Sequence, residues 1–157
     1  MAPDTAPRAP ARAPSVDLAA LRAWRLARLR QELRARDYAG ALLYDPINIR
    51  YACDARNMQV WCLHNAVRYV FVPTEGPVVL FDFHNCAHLS ADNEVVDEVR
   101  PAVGWFYFAA GSRCREFALR WAAEVADLVR RHGGGNRRLA IDKCEALGVA
   151  ALATEGI

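Results

Sequence analysis

A carboxylate, two imidazoles and a thiol lie within seven residues of one another, at Asp82, His84, Cys86 and His88. Zinc is bound by these ligand types, so this segment is the strongest candidate metal site in the sequence. The spacing matches no short zinc motif, however, and the four side chains would point the same way only if one β-strand continued through all of them. We therefore expect structural roles for these residues and no metal site in this chain.

The segment Tyr44–Arg68 has the residue types of a recognition surface. An apolar run ends at a proline turn, and the polar and aromatic residues that follow are too irregular in pattern for a regular helix or a simple strand. Trp61 offers a rigid face that can stack on a cation or on a proline-like ring, while Arg68 can hold a carboxylate through two parallel hydrogen bonds. His64 and Asn65 add adaptable polar contacts.

A structural interpretation of the same segment also stands. In that interpretation Tyr51, Met58 and Trp61 pack beneath a loop, and Arg68 is a surface charge. The pattern of residues alone does not separate packing from recognition.

Other polar clusters indicate no complete active site. The acidic residues of 92–98 suit a solvated turn and strand face. Three glycines at 133–135 follow a helical pattern instead of opening one, so they lack the amide array that binds phosphate and are expected to be a linker. No serine lies in a nucleophile elbow, and no cysteine has a recognisable activating neighbour.

Composition bounds the classes of function. The 157 residues are enough for about one domain with a substantial core, and 20 Lys and Arg against 18 Asp and Glu leave a net charge of only +2. Nothing in this balance favours nucleic acid or an anionic membrane as a partner. The five cysteines are widely spread and form no Cys-x-x-Cys pair, which favours reduced thiols in a cytoplasmic protein.

Residues 1–16 contain four prolines and no apolar core, so they are expected to be a disordered arm and not a secretory signal. No later run is long enough to span a bilayer. Residues 17–157 are expected to form one domain.

The elements that position the candidate residues alternate between helix and strand, with one interruption. The turn signals of 73–77 join two β-rich runs as a hairpin, so the chain is predicted to be α/β, a three-layer domain with a mixed β-sheet flanked by helices. Gly104–Phe108 is either a further strand or a packed aromatic loop, and the turn at 154–157 is expected to lead into another strand, so that the domain is truncated. The predicted elements are a helix from Ser15 or Asp17 to Asp37, strands ending at Tyr44 and at 67–72, 78–83, 94–100 and 139–142, and helices at 113–132 and 143–152.

The order of these elements and their sequence motifs resemble the amino-terminal domain of the creatinase/prolidase superfamily, the pita-bread metalloenzymes that include Xaa-Pro peptidases. Within that superfamily the motifs are most similar to those of the dimethylsulfoniopropionate lyase branch. The resemblance covers about residues 17–157. It is carried by Gly-Ala-Leu-Leu-Tyr44, Asp45-Pro-Ile-Asn-Ile-Arg-Tyr51, Asn57-Met-Gln-Val-Trp61, His64-Asn65, Arg68-Tyr-Val-Phe-Val72, Gly76-Pro-Val-Val-Leu-Phe81 and Phe106-Tyr-Phe-Ala-Ala-Gly111.

This resemblance implies a parent enzyme that works as a homodimer, with a dinuclear iron, manganese or zinc site in a carboxy-terminal pita-bread domain that is absent from this chain. It implies that the amino-terminal domain supports dimerisation and lines the substrate site of the partner subunit. The chain itself then has no catalytic residue, no metal ligand and no cofactor. Its expected substrate-rim residues are Tyr51, Trp61, His64, Asn65 and Arg68, which we call the rim residues.

Two classes of function remain open at this point. The chain is either a piece of a metal-dependent enzyme, a dimethylsulfoniopropionate lyase or an Xaa-Pro peptidase, or a free-standing module that binds a partner without catalysis. The expected partners are a second copy of the chain, the catalytic domain and the small-molecule substrate of the parent. A long in-frame extension past Ile157 favours the enzyme, and a stop codon there favours the module.

Overall fold

The computed structural model describes residues 15–157. The predicted disordered arm lies almost wholly outside these residues. The first helix starts after Asp17, whose Oδ1 accepts a hydrogen bond from the backbone N of Ala20 at 2.9 Å. This confirms one of the two predicted caps, because the side chain satisfies an amide that has no partner within the first turn.

Most helices and strands lie close to the predicted positions. Two short helices occupy the segment between Tyr44 and Arg68, where none was predicted, and the strand predicted at 94–100 is shorter because the residues before Glu98 form a turn. Short 3-10 turns lie at Ala87–Ser90 and Gly111–Arg113. The elements are α1 (Leu18–Ala35), β1 (Gly40–Leu43), α2 (Pro46–Cys53), α3 (Gln59–His64), β2 (Tyr69–Pro73), β3 (Val79–Asp82), β4 (Glu98–Pro101), α4 (Tyr107–Ala110), α5 (Cys114–His132), β5 (Leu139–Ile141) and α6 (Ala146–Thr154).

The five strands form one mixed sheet in the order β4-β3-β2-β1-β5. The predicted hairpin is β2–β3, and both it and β1–β2 are antiparallel, while β1–β5 and β3–β4 are parallel. In the hairpin Tyr69 lies opposite Phe81. The prediction of a mixed sheet is confirmed.

The central strands are buried on both faces, which makes the domain three-layered as predicted. On one face Tyr69 and Phe71 pack with Trp121 and Val125 of α5. On the other face the alternate residues of β2 pack with α1 and α2. Because successive side chains of a strand point to opposite faces of the sheet, β2 contributes to both cores. The residues of this second core include Leu26, Ile49, Ala52, Val70, Val72 and Leu80.

Two irregular segments had open predictions. The segment Gly104–Phe108 runs as a loop into the single helical turn α4, which agrees with the aromatic-loop alternative and not with the strand. After Thr154 the chain makes a turn and Ile157 packs against the core, and the strand expected to follow this turn stays a prediction. Gly134 and Gly135 have φ of +58° and +93° after α5, which explains why glycines end that helix.

Candidate functional site

The segment Tyr44–Arg68 is more regular than its sequence suggested, because it consists mainly of the two short helices α2 and α3. Asp45 precedes α2, and its Oδ1 accepts hydrogen bonds from the backbone N of Ile47 at 2.8 Å and of Asn48 at 3.4 Å. Pro46 occupies the first turn, where a missing N–H costs nothing. The expectation of an irregular segment is therefore wrong, and Asp-Pro was the signal of a helix start.

Two residues that follow β5 hold both helices in place. Asp142 accepts hydrogen bonds at its Oδ2 from the backbone N of Asp45 at 3.0 Å and from Asn48 Nδ2 at 2.9 Å. Lys143 Nζ donates to the carbonyl O of Leu63 at 2.8 Å, near the end of α3. Sequence reasoning missed both residues, because their partners lie far away along the chain.

The two rim aromatics contact different elements. Tyr51, on α2, lies beneath the guanidinium of Arg25 from α1, with 5.6 Å between the Arg Cζ and the ring centroid. Trp61, on α3, is 39% exposed and meets the ring of Phe108 at 5.9 Å with an interplanar angle of 67°. Trp61 is thus a half-exposed ring, held at one edge by a second ring and not packed beneath a loop.

The two polar rim residues lie together at the carboxyl end of α3. His64 is the last residue of that helix and is exposed. Asn65 caps the helix, since its Nδ2 donates to the carbonyl O of Trp61 at 3.1 Å and its backbone N donates to the same oxygen at 3.0 Å. The amide of Asn65 therefore has a structural task that sequence reasoning did not assign.

Arg68 does not lie with the exposed rim residues. It is 1% exposed, and its Nε donates to Asp82 Oδ2 at 2.9 Å. The second carboxylate oxygen of Asp82 accepts from Asn57 Nδ2 at 2.9 Å. The interpretation of Arg68 as a surface charge is wrong, and a guanidinium buried in this way cannot hold a substrate carboxylate at the surface of the isolated chain.

The residues that resembled a metal site separate in the structure. Asp82 is the last residue of β3, so the strand does not continue through His84, which is exposed. The Sγ of Cys86 lies 3.4 Å from Oδ1 of its neighbour Asn85, and His88 belongs to the 3-10 turn. Within residues 15–157 no group of three or more His, Cys, Asp and Glu side chains has an arrangement that could hold a metal ion.

An aromatic segment that sequence reasoning left without a role extends the surface around Trp61. Tyr107 and Phe108 are 77% and 80% exposed, and Phe106 stacks on Phe108 at 6.2 Å. Exposed rings of this size are unfavourable in water, so this cluster is a candidate contact surface. The signal in the sequence was the run Trp-Phe-Tyr-Phe itself, although it gave no indication of which rings face outward.

The family comparison agrees with this architecture. The profile of the Creatinase/Prolidase N-terminal domain matches residues 25–152. The chain belongs to the creatinase/prolidase amino-terminal domain family. The resemblance drawn from the sequence is thereby confirmed.

Two curated relatives place the chain nearer to one branch of that family. It is 43% identical over 140 residues to "Dimethylsulfoniopropionate lyase DddP" of Roseovarius nubinhibens and 44% identical over 140 residues to the protein of the same name from Roseobacter denitrificans. Each match covers 89% of this chain and 31% of the relative. The chain therefore spans about a third of the length of the curated relatives that it matches.

Solved structures of two dipeptidases share the fold. The dipeptidase of Pyrococcus horikoshii OT3 superimposes with a TM-score of 0.54 at 16% identity, covering 83% of this chain and 32% of its own. Dipeptidase PepE of Mycobacterium ulcerans gives a TM-score of 0.53 at 18% identity, covering 89% of this chain and 33% of its own. At these identities the likeness establishes the fold alone.

The search for a membrane-spanning segment is negative for the part of the chain that the structure describes. None of its helices combines the length and the apolar character needed to cross a bilayer.

Proposed function

We propose that this chain is the amino-terminal domain of a dimethylsulfoniopropionate lyase-like, metal-dependent enzyme, in which it supports a homodimer and lines the substrate site of the partner subunit. The observation that carries the proposal is the identity of 43% to a dimethylsulfoniopropionate lyase over 89% of this chain. The exposed aromatic surface around Trp61 and Phe108 supports it, because a wall for a substrate must present rings that its own domain does not cover.

Under this proposal Tyr51, Trp61, His64 and Asn65 form the rim, and Arg68 supports it from inside by fixing Asp82. Metal ions implied by the family do not fit the described residues, because Asp82 is already engaged by Asn57 and Arg68. Any iron, manganese or zinc would be held by other parts of the whole protein.

The cytoplasm is the proposed location. The thiols of Cys53 and Cys62 are buried and lie 3.3 Å and 3.6 Å from the carbonyl oxygens of Ile49 and Asn57. Buried thiols with backbone partners suit a compartment that keeps cysteine reduced.

The activity is tested on the full-length protein, loaded with metal and assayed for dimethyl sulfide release and for cleavage of an Xaa-Pro dipeptide in parallel. Dimethyl sulfide release without peptide cleavage is the expected result. Peptide cleavage alone would replace the lyase with an Xaa-Pro peptidase, whose proline ring the same aromatic wall could contact. A reading frame that ends after Ile157 would instead favour a free-standing binding module.

The contribution across the dimer has its own test, which is subunit complementation. The full-length Trp61→Ala variant is mixed with a full-length variant inactivated in its catalytic domain. If the rim acts on the partner, each mixed dimer contains one site with both defects and one intact site, so activity returns. If the rim acts within its own subunit, both sites stay defective and no activity returns.

A further inference from the structure

The helix α3 carries the rim residues Trp61 and His64, but it has little of its own to hold it in place. It comprises six residues, Gln59–His64, and an isolated helix of that length is not stable in water. Its start has no side-chain cap, and of its six residues Cys62 alone is buried. The position of Trp61 therefore depends on contacts from outside the helix.

The residue before α3 adds strain instead of support. Met58 has φ of +39° and ψ of +50°, which is the left-handed region that a residue with a side chain seldom adopts. Its side chain is exposed, so its own packing does not explain this conformation. A strained residue persists only where neighbouring contacts fix the backbone. The residue next to it, Asn57, has such contacts.

Asn57 links α3 to the sheet. Its Nδ2 donates to Asp82 Oδ1 at 2.9 Å, and Asp82 is the last residue of β3. Its carbonyl O accepts from Cys62 Sγ at 3.6 Å, and Cys62 is the buried residue of α3. Asn57 thus contacts the sheet through its side chain and the helix through its backbone.

Asp82 is a firm attachment point for this link. It is fully buried, and it accepts two hydrogen bonds besides that of Asn57. Arg68 Nε donates to its Oδ2 at 2.9 Å, and the backbone N of Phe83 donates to its Oδ1 at 2.8 Å. Hydrogen bonds to a carboxylate are stronger than those between neutral groups, so three of them fix its orientation. The position of Asn57 is therefore set by a group of the core.

The anchor at the other end of α3 is weaker. Lys143 Nζ donates to the carbonyl O of Leu63 at 2.8 Å, but Lys143 is exposed. Its flexible side chain is surrounded by water, which competes for both groups of this hydrogen bond. The link through Asn57 is therefore the main anchor of the helix.

We propose that Asn57 is a positioning residue, which sets the place of α3 and thereby holds Trp61 against Phe108 without touching substrate itself. Its effect on turnover rests on the proposed function. Its effect on α3 concerns the 157-residue chain alone and is measurable without substrate. The two proposals can therefore fail separately.

The effect on α3 is tested by NMR on the 157-residue chain. Asn57→Leu removes the hydrogen-bond donor at a similar volume, so we expect shifted amide signals throughout α3 and loss of the nuclear Overhauser effects between the rings of Trp61 and Phe108. Asn136→Leu is the matched control and should leave α3 unchanged. Asn136 is likewise a partly buried asparagine, and its Nδ2 donates to the carbonyl O of Asp37 at 3.0 Å, between α5 and β5.

A second variant keeps this test decisive if Asn57→Leu does not fold. Asn57→Ala removes the same donor and leaves room for water beside Asp82, so it should shift α3 in the same way. Unchanged α3 amides in a folded Asn57 variant would overturn the proposal, and so would equal shifts in Asn136→Leu. Global unfolding of both Asn57 variants would also overturn it, because Asn57 would then support the core and not the place of α3.

The effect on the site is measured on the full-length protein by a double-mutant cycle with Trp61→Ala. If Asn57 acts through α3, Asn57→Leu should lower kcat/KM about tenfold when Trp61 is present and less than about twofold in the Trp61→Ala background. Equal losses in both backgrounds would indicate general destabilisation and overturn the positioning role. Asn136→Leu should leave kcat/KM unchanged in both.

The outcomes separate this inference from the proposed function. Shifted α3 amides in Asn57→Leu, together with a full-length protein that neither releases dimethyl sulfide nor cleaves the dipeptide, would leave the place of α3 assigned to Asn57 and overturn the proposed function. Dimethyl sulfide release together with unchanged α3 amides would do the opposite.

Discussion

The chain contains two groups of aromatic side chains that differ in what surrounds them. The first, which we call the buried stack, lies between the sheet and α5: Tyr69 stacks on Phe81 at 4.4 Å and lies 4.9 Å from Tyr44. Trp105 and Trp121 complete it, 5.4 Å apart. The second group, which we call the aromatic corner, consists of Trp61, Phe83, Phe106 and Phe108. Its ring contacts, 5.9 Å between Trp61 and Phe108 and 6.2 Å between Phe106 and Phe108, are somewhat longer, and its rings are exposed or half-buried.

This comparison teaches that the same residue types contribute stability in one place and a contact surface in another. A ring of the buried stack stabilises the folded chain because folding removes its apolar area from water. An exposed ring of the corner buries little area and therefore contributes little to the free energy of folding. The corner therefore needs a different explanation, and ligand or partner contact is one. Asp82 lies between the two groups along the chain, directly after Phe81 of the stack and before Phe83 of the corner.

The largest effect is expected from Arg68→Met. The substitution leaves the carboxylate of Asp82 buried without its cation, which should lower the free energy of unfolding by about 3–5 kcal/mol. Urea unfolding measures it. The double variant Arg68→Met/Asp82→Asn should recover much of the loss, because the amide removes the charge and still accepts hydrogen bonds. A single variant as stable as the unchanged chain would show that the pair is not buried.

The second-largest effect is expected from alkaline pH, which should lower the free energy of unfolding through the tyrosines of the buried stack. Burial raises the pKa of Tyr44 and of Tyr69 above the ordinary value of 10.0. Because the folded pKa is the higher one, stability is fully present below pH 10 and is lost as the pH rises above it, by about 1.4 kcal/mol per pH unit for each phenol. Urea unfolding between pH 9 and 11 checks this. In Tyr69→Phe the free energy of unfolding should fall with pH about half as steeply, and an unchanged slope of stability against pH would contradict the prediction.

Gly148→Ala tests how closely α6 packs on the stack. A Cβ at this position would come within 2.7 Å of Trp105 Cζ2 and of Cys144 Sγ. Despite the better helix propensity of alanine, overpacking should cost about 1–2 kcal/mol, measured as a lower thermal midpoint. In the Trp105→Phe background, where the smaller ring makes room, the same substitution should cost less. An equal cost in both backgrounds would mean that Trp105 is not the obstacle.

The smallest effect on stability is expected in the aromatic corner itself. Trp61→Ala should change the free energy of unfolding by less than about 1 kcal/mol, because Trp61 is partly exposed. Trp24→Ala, at an exposed position on α1, is the control and should behave alike. Only Trp61→Ala should impair substrate turnover in the whole protein. Gross unfolding of Trp61→Ala, seen by circular dichroism, would show that this ring contributes to the core in the way that the rings of the buried stack do.

Much of the fold was predictable, because its signals are local. The cap at Asp17, the hairpin between β2 and β3, and the long helix α5 follow from residue types and periodicity within short windows. The start of α2 was missed although its signal was local too, since Asp45 and Pro46 form a regular helix start. Residue patterns around Trp61 suggested an irregular loop, but residues Gln59–His64 form the helix α3.

The candidate site was predictable only in part. Trp61 was chosen from the sequence, and its ring is half-exposed, but its neighbour Phe108 was not chosen, because the two rings meet only after distant segments pack. Arg68 was misjudged for the same reason. It faces Asp82 across the hairpin, one residue pair beyond Tyr69 and Phe81. The pairing register of two strands depends on both of them and cannot be predicted from the sequence of one strand alone.

By itself the sequence determined the helices α1, α5 and α6, most of the strands, the mixed character of the sheet and the family, since each depends on spacing that can be read along the chain. Only the tertiary structure decided which charges are buried and which rings are exposed. Burial and exposure depend on how segments far apart in the chain pack together. That packing placed the buried stack beneath α5 and left the rings of Trp61 and Phe108 exposed.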